Sequence, residues 1–172
     1  MATHSVKLVD HTSSTDRWKQ GLKKEIQSLF NQCLEGSDIT VNVEWGKGEK
    51  TDFLVLHFVE DVDHSYIQKK LPGAPLKEHI AGHTRTKNKI TGTEFYKFVG
   101  KKGDRSQYKY SSYAKIALHE SMHNLLPNWT EDELHGKNGG GGLAASPPQL
   151  PPTDKNKELI RRGFSVKTAQ LL

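Results

Sequence analysis

Ala117-Leu118-His119-Glu120-Ser121-Met122-His123-Asn124-Leu125 is the stretch on which the reading of this chain turns. Residues 113–126 contain neither Gly nor Pro, and Pro127 follows. The residue before a proline avoids helical geometry, so a helix is expected to stop there. Ser111 or Ser112 is suited to cap its start. Ala114, Leu118, Met122 and Leu125 recur at spacings of four, four and three, a stripe that fits a core-facing side. His119 and His123 lie nearly opposite, one turn apart, above Ile116. Two imidazoles four residues apart on a helix can ligate one ion. Glu120 lies about 100° further round, at the edge of the same face.

Nine histidines in 172 residues make the His-Glu-x-x-His pattern expected by chance only roughly 0.03 times. Chance is therefore a poor explanation. The chemistry of the pattern is that of zinc, which lowers the pKa of a water to about 7. A carboxylate placed like Glu120 can take that proton and later pass it to a leaving amine. Two histidines do not complete such a centre, and a third protein ligand is needed. His135 is the leading candidate, on a short helical turn announced by the capping-box form of Thr130-Glu131-Asp132-Glu133. Glu131, Asp132 and Glu133 are rivals in the same segment, and Glu158 is a rival of another kind, a carboxylate from a later helix.

Upstream of this stretch, residues 4–10 alternate as a short strand. Thr15 or Asp16 caps an amphipathic helix carrying Trp18, Leu22, Ile26, Leu29, Phe30 and Cys33, which ends at Gly36. Ile39, Val41, Val43 and Trp45 mark a second strand, and the apolar run 53–59 a central one. His57 within that run reads as a hydrogen-bonded core residue. Glu60-Asp61-Val62-Asp63-His64 is an acidic loop with weak resemblance to a calcium site. Residues 76–86 hold His79 and His83 around Gly82 and read as an extended edge segment. Residues 91–99 alternate as another strand. Downstream, Gly139-Gly140-Gly141-Gly142 loosens the chain and two proline pairs stiffen it. Thr153 or Asp154 then caps a final helix packed through Leu159, Ile160 and Phe164.

Length and composition are those of one domain over residues 1–172 with a modest core. No run of eighteen apolar residues is present, so neither a transmembrane helix nor a membrane partner is expected. Residues 1–10 lack the layout of a secretory signal, which suggests a cytoplasmic location or export by a specialised route, as for an effector or toxin domain. Cys33 is the only cysteine, so no intrachain disulfide forms, and its helical spacing makes it a small core residue. The net charge of +5 is too small to argue for nucleic acid as a partner. Nothing in the sequence specifies an oligomeric state.

The order strand, helix, strand, strand, edge strand, strand, His-Glu-x-x-His helix, loop, terminal helix resembles the metzincin clan of zinc metalloproteases. The clan's motif continues x-x-Gly-x-x-His; here those positions are Leu126 and Trp129, and a delayed His135 restores the third histidine. The clan's methionine-containing turn is matched in position by Gly142-Leu143-Ala144-Ala145-Ser146-Pro147, with Leu143 or Ala144 in place of the methionine. The resemblance implies a zincin-type α/β (α+β) domain: a twisted mixed sheet of about five strands, a long N-terminal helix, the active-site helix and a C-terminal helix. It implies a zinc-dependent endopeptidase with one catalytic Zn2+ on His119, His123 and His135, and Glu120 as general base. It also implies a protein or peptide substrate bound as an extended strand along Ile80, Ala81, Gly82 and His83. Two alternatives stand beside it: a gluzincin-type peptidase with Glu158 as third ligand, and a non-catalytic basic protein- or nucleic-acid-binding module with a degenerate motif.

Overall fold

A computed structural model describes residues 2–11, 14–49, 51–59, 82–85, 94–98 and 110–170. The chain opens with a β-α-β unit: β1 (Ala2–Asp10), α1 (Asp16–Leu34) and β2 (Ile39–Trp45). Thr15 caps α1, its side-chain oxygen accepting from the Trp18 amide at 3.2 Å. Leu22, Ile26, Leu29, Phe30 and Cys33 form the buried stripe that their spacing predicts. The far end of α1 is tied down from the other end of the chain. Arg161 donates from Nε to the Cys33 carbonyl at 3.0 Å and from Nη2 to the Glu35 carbonyl at 2.9 Å, supplying partners to carbonyls that a helix end leaves unpaired.

A helix between two neighbouring strands carries the chain back to the starting edge, so β1 and β2 run parallel. β3 (Leu54–Val59) pairs parallel to the other side of β1, and β5 (Glu94–Phe98) pairs parallel to β3. β4 (Gly82–Arg85) pairs antiparallel to β5. The order is β2-β1-β3-β5-β4, with β4 at the end.

The core lies on one face. Val6 and Leu8, then Val41 and Val43, then Leu54, Leu56 and Phe58 alternate along β1, β2 and β3 and join one hydrophobic cluster. The same cluster takes side chains from α1, from α2 (Tyr110–Leu125) and from α4 (Asp154–Gln170). Val55, one residue out of phase, lies outside it, close to Gly48 and Val9. Phe164 is fully buried at the helix–sheet boundary, stacked on Phe53 with centroids 5.0 Å apart and edge-on to Phe30.

The expectation of an α/β (α+β) domain built on a twisted mixed sheet of about five strands is corrected by this arrangement. The sheet is open, and three of its pairings are parallel. Helix outweighs it: α1, α2 and α4 have 19, 16 and 17 residues. β4 and β5 add only four and five residues to the sheet. The physical reason is that side-chain alternation shows which residues share a face, but not which strand lies beside which or in what direction. The start of α2 is also corrected, since Ser111 and Ser112 lie inside its first turn. The acidic loop 60–64 and the histidine at position 79 fall outside the described residues. No helix among the described residues is long and apolar enough to cross a membrane.

Candidate metal centre

α2 is not a two-faced surface helix. Ten of its 16 residues are buried, among them the polar His119, Glu120, Ser121 and Asn124. It packs on α1, α4, β4, β5 and the Gly142–Ala144 turn. The predicted stripe of Ala114, Leu118, Met122 and Leu125 is buried, but the opposite side is covered as well. His119 is 5% exposed and Glu120 8%.

After α2 the chain turns at Leu126, whose carbonyl accepts from the Trp129 amide at 3.0 Å. Thr130 then caps α3 (Glu131–His135), accepting from the Glu133 amide at 3.1 Å, as the capping-box pattern anticipates. Leu134 is fully buried and anchors this short helix, while Glu131, Asp132 and Glu133 remain exposed. His135, its last residue, is thereby turned back towards α2.

The three imidazoles meet. His119 Nε2 and His123 Nε2 are 3.2 Å apart, His123 Nε2 and His135 Nε2 3.2 Å, and His135 Nε2 and His119 Nε2 3.2 Å. An ion about 2.0–2.1 Å from each nitrogen would see N–ion–N angles of about 100–106°, close to tetrahedral. His119 Nδ1 donates to the Leu143 carbonyl at 2.6 Å. That bond puts the ring proton on Nδ1 and leaves the Nε2 lone pair directed at the other two histidines, the tautomer a metal ligand needs. Burial holds the His119 imidazole below its usual range; the Leu143 carbonyl opposes this, His135 adds to it, and Glu131 opposes it. A lone pair aimed into a cluster of nitrogens is the chemistry of a cation site, so the donor set fits a metal ion. Among the described residues this is the one group of three or more His, Cys, Asp or Glu placed to hold one.

The other predicted positions are distributed differently. Glu158 is 59% exposed on its side chain and pairs with Lys155 at 3.3 Å, away from the three histidines. Gly82 and His83 lie in β4, the terminal strand, which runs beside α2; residues 80 and 81 fall outside the described residues. His57 is buried, its Nδ1 2.9 Å from His11 Nε2. Cys33 is buried too, and burial pushes its thiol up to about 11, as suits a core residue.

Comparison with family models, with curated proteins and with solved structures yields no match to this chain. The turn that supports His119 is the Gly142–Ala144 3-10 turn. Its Leu143 and Ala144 are fully buried beneath the histidines' helix. What sequence reasoning did not single out is Asn156. This residue is fully buried in the first turn of α4 and bonded to both ends of that turn's approach. Its only trace in the sequence is a polar residue three after Thr153, which any exposed helix start also shows.

Proposed function

We propose that this chain is a zinc-dependent endopeptidase of metzincin-like type, with His119, His123 and His135 holding one catalytic zinc ion. The observation that carries the reading is the triangle of Nε2 atoms, 3.2 Å on each side, built by a His-Glu-x-x-His helix and a histidine twelve residues later. A zinc ion bound there supplies a Lewis acid for a carbonyl oxygen and lowers the pKa of a water to about 7.

The chain's own residues account for the rest. The Leu143 carbonyl holds His119 in the ligand tautomer. Glu120, next to His119 and about 100° round the helix, is the general base and then the acid that protonates the leaving amine. Its burial favours proton exchange with a bound substrate over exchange with bulk water. An extended peptide adds to the sheet along β4, with Gly82 and His83 in the substrate-binding edge.

The test is hydrolysis of a denatured protein substrate by zinc-loaded protein, beside the Glu120→Gln variant. We expect wild-type cleavage, and a loss of about 10²–10⁴-fold in the variant at unchanged zinc content. Zinc-loaded wild type that cleaves no peptide bond, or equal cleavage by the variant, overturns the proposal.

A further inference from the structure

We infer that Asn156 is the positioning residue of the metal centre: a single buried carboxamide sets both the segment that presents His135 and the carbonyl that orients His119. The inference rests on reading the three histidines as metal ligands, and it assigns a role to a residue that touches none of them.

A carboxamide has two N–H donors and an oxygen with two lone pairs. Asn156 uses all four. Its Oδ1 accepts from the Leu143 amide at 2.8 Å and from the Thr153 amide at 2.9 Å. Its Nδ2 donates to the Gly139 carbonyl at 3.0 Å and the Gly141 carbonyl at 2.9 Å. Thr153 in turn accepts at Oγ1 from the Asn156 amide at 3.1 Å, which fixes the residue at the start of α4. The side chain is fully buried, so no solvent can replace these bonds.

Two of these partners, Leu143 and Gly139, lead to a histidine. Leu143, whose amide Asn156 holds, presents its carbonyl to His119 Nδ1. Gly139, whose carbonyl Asn156 holds, sits against the Leu134 carbonyl, the residue before His135; a Cβ at position 139 would run into that oxygen. The loop is shaped round the carboxamide as well. Gly142 has φ +54, and a Cβ there would collide with Asn156 Oδ1. The glycine run, which in the sequence looks like slack, is thus a wrapping of backbone round one side chain. Because His119 and His135 come from segments sixteen residues apart, their 3.2 Å approach depends on a common anchor. Asn156 supplies it.

Asn156→Asp tests this with little change of volume. It keeps the two accepting bonds but sets a carboxylate oxygen against the Gly139 and Gly141 carbonyls. Zinc dissociation constants would be measured by competition with a chromogenic chelator, and cobalt substitution would report the ligand geometry in the visible spectrum. Asn156→Asp and Asn156→Ala are expected to weaken zinc about 10–100-fold and to alter the cobalt bands. Leu159→Ala, a fully buried core change on the same helix, is expected to lower stability while leaving zinc affinity within about threefold of wild type. Wild-type affinity in the Asn156 variants overturns the inference and leaves the metal reading standing, as does equal weakening by Leu159→Ala. Wild type that binds no zinc overturns the metal reading itself. Should the Asn156 variants not fold, hydrogen exchange on wild type decides. Zinc should slow exchange of the Leu143 amide more than that of core amides on α1, and an equal effect on both overturns the inference.

Discussion

Lys167 offers a sharp test of how the histidine-bearing helix is held. It is only 5% exposed on α4, and its Nζ donates to the Phe53 carbonyl at 2.6 Å and to Asn124 Oδ1 at 3.1 Å. Asn124 is the neighbour of His123, so this ammonium ties α4 to the last turn of the site helix. Burial lowers the Lys167 pKa from 10.5 to about 8. A lysine depressed in the folded state binds its proton less readily there than in the unfolded chain. Stability from this group is therefore present above pH 10.5, and is lost as pH falls through about 8. The full shift corresponds to about 3 kcal/mol, and the part expressed between pH 7 and pH 9.5 is about 2 kcal/mol. Cys33 works in the opposite sense. Its thiol is raised to about 11, so stability is lost as pH rises from about 9. The difference between wild type and Lys167→Met cancels the Cys33 effect, and His4, held below its usual range by burial and by Lys167, adds little above pH 7. Urea unfolding at pH 7.0, 8.0, 9.0 and 9.5 is the assay. Wild type should gain about 2 kcal/mol relative to Lys167→Met across that range. The variant should also lose stability at pH 9.5, because the buried Phe53 and Asn124 oxygens no longer have the Nζ–H donor that the neutral amine still supplies there. Parallel stability curves for the two proteins would refute the reasoning.

Further predictions concern the site. His135→Ala should lower bound zinc well below one per chain, while Glu158→Ala, altering only an exposed carboxylate paired with Lys155, should leave it unchanged by elemental analysis. Gly142→Ala should cost at least about 1–3 kcal/mol in urea unfolding, from its positive φ and the collision with Asn156 Oδ1. Phe164→Ala should cost about 3–5 kcal/mol, since it removes a fully buried ring stacked on Phe53 and facing Phe30, and its zinc affinity should stay near that of wild type.

Local signals carried much of the element placement. The helix of the His-Glu-x-x-His stretch ends at Leu125, just before Pro127, and α1 begins at the threonine-capped position that the apolar spacing marks. The Thr130–Glu133 pattern located α3, and with it the segment that brings His135 to the other two histidines. These features are local, so a stretch of ten residues contains all the physics they need. The sheet was less legible. Strand direction and neighbours depend on connections of twenty residues or more, and alternation in 39–45 is the same whether its partner runs parallel or antiparallel. Burial of a polar group was legible at His57, inside its apolar run, and hardly elsewhere. Asn156, Lys167 and Arg161 read as ordinary polar positions on a terminal helix. Their roles come from Gly139 and Leu143, from Asn124 and Phe53, and from Cys33 and Glu35, partners distant in sequence or visible only once the chain has turned. The helix that looked two-faced proved to be packed on both sides for the same reason: α4 and the glycine turn cover a face whose covering could not be seen locally.

The most direct test is X-ray absorption at the zinc edge on protein purified without added chelator, together with the metal-to-chain ratio. The triangle of His119, His123 and His135 predicts one zinc per chain, with three imidazole nitrogens at about 2.0–2.1 Å and no sulfur in the shell. It also predicts loss of that signal when His119, His123 and His135 are all replaced by alanine. Zinc near zero in correctly folded wild type, or an unchanged shell in the triple variant, would contradict it.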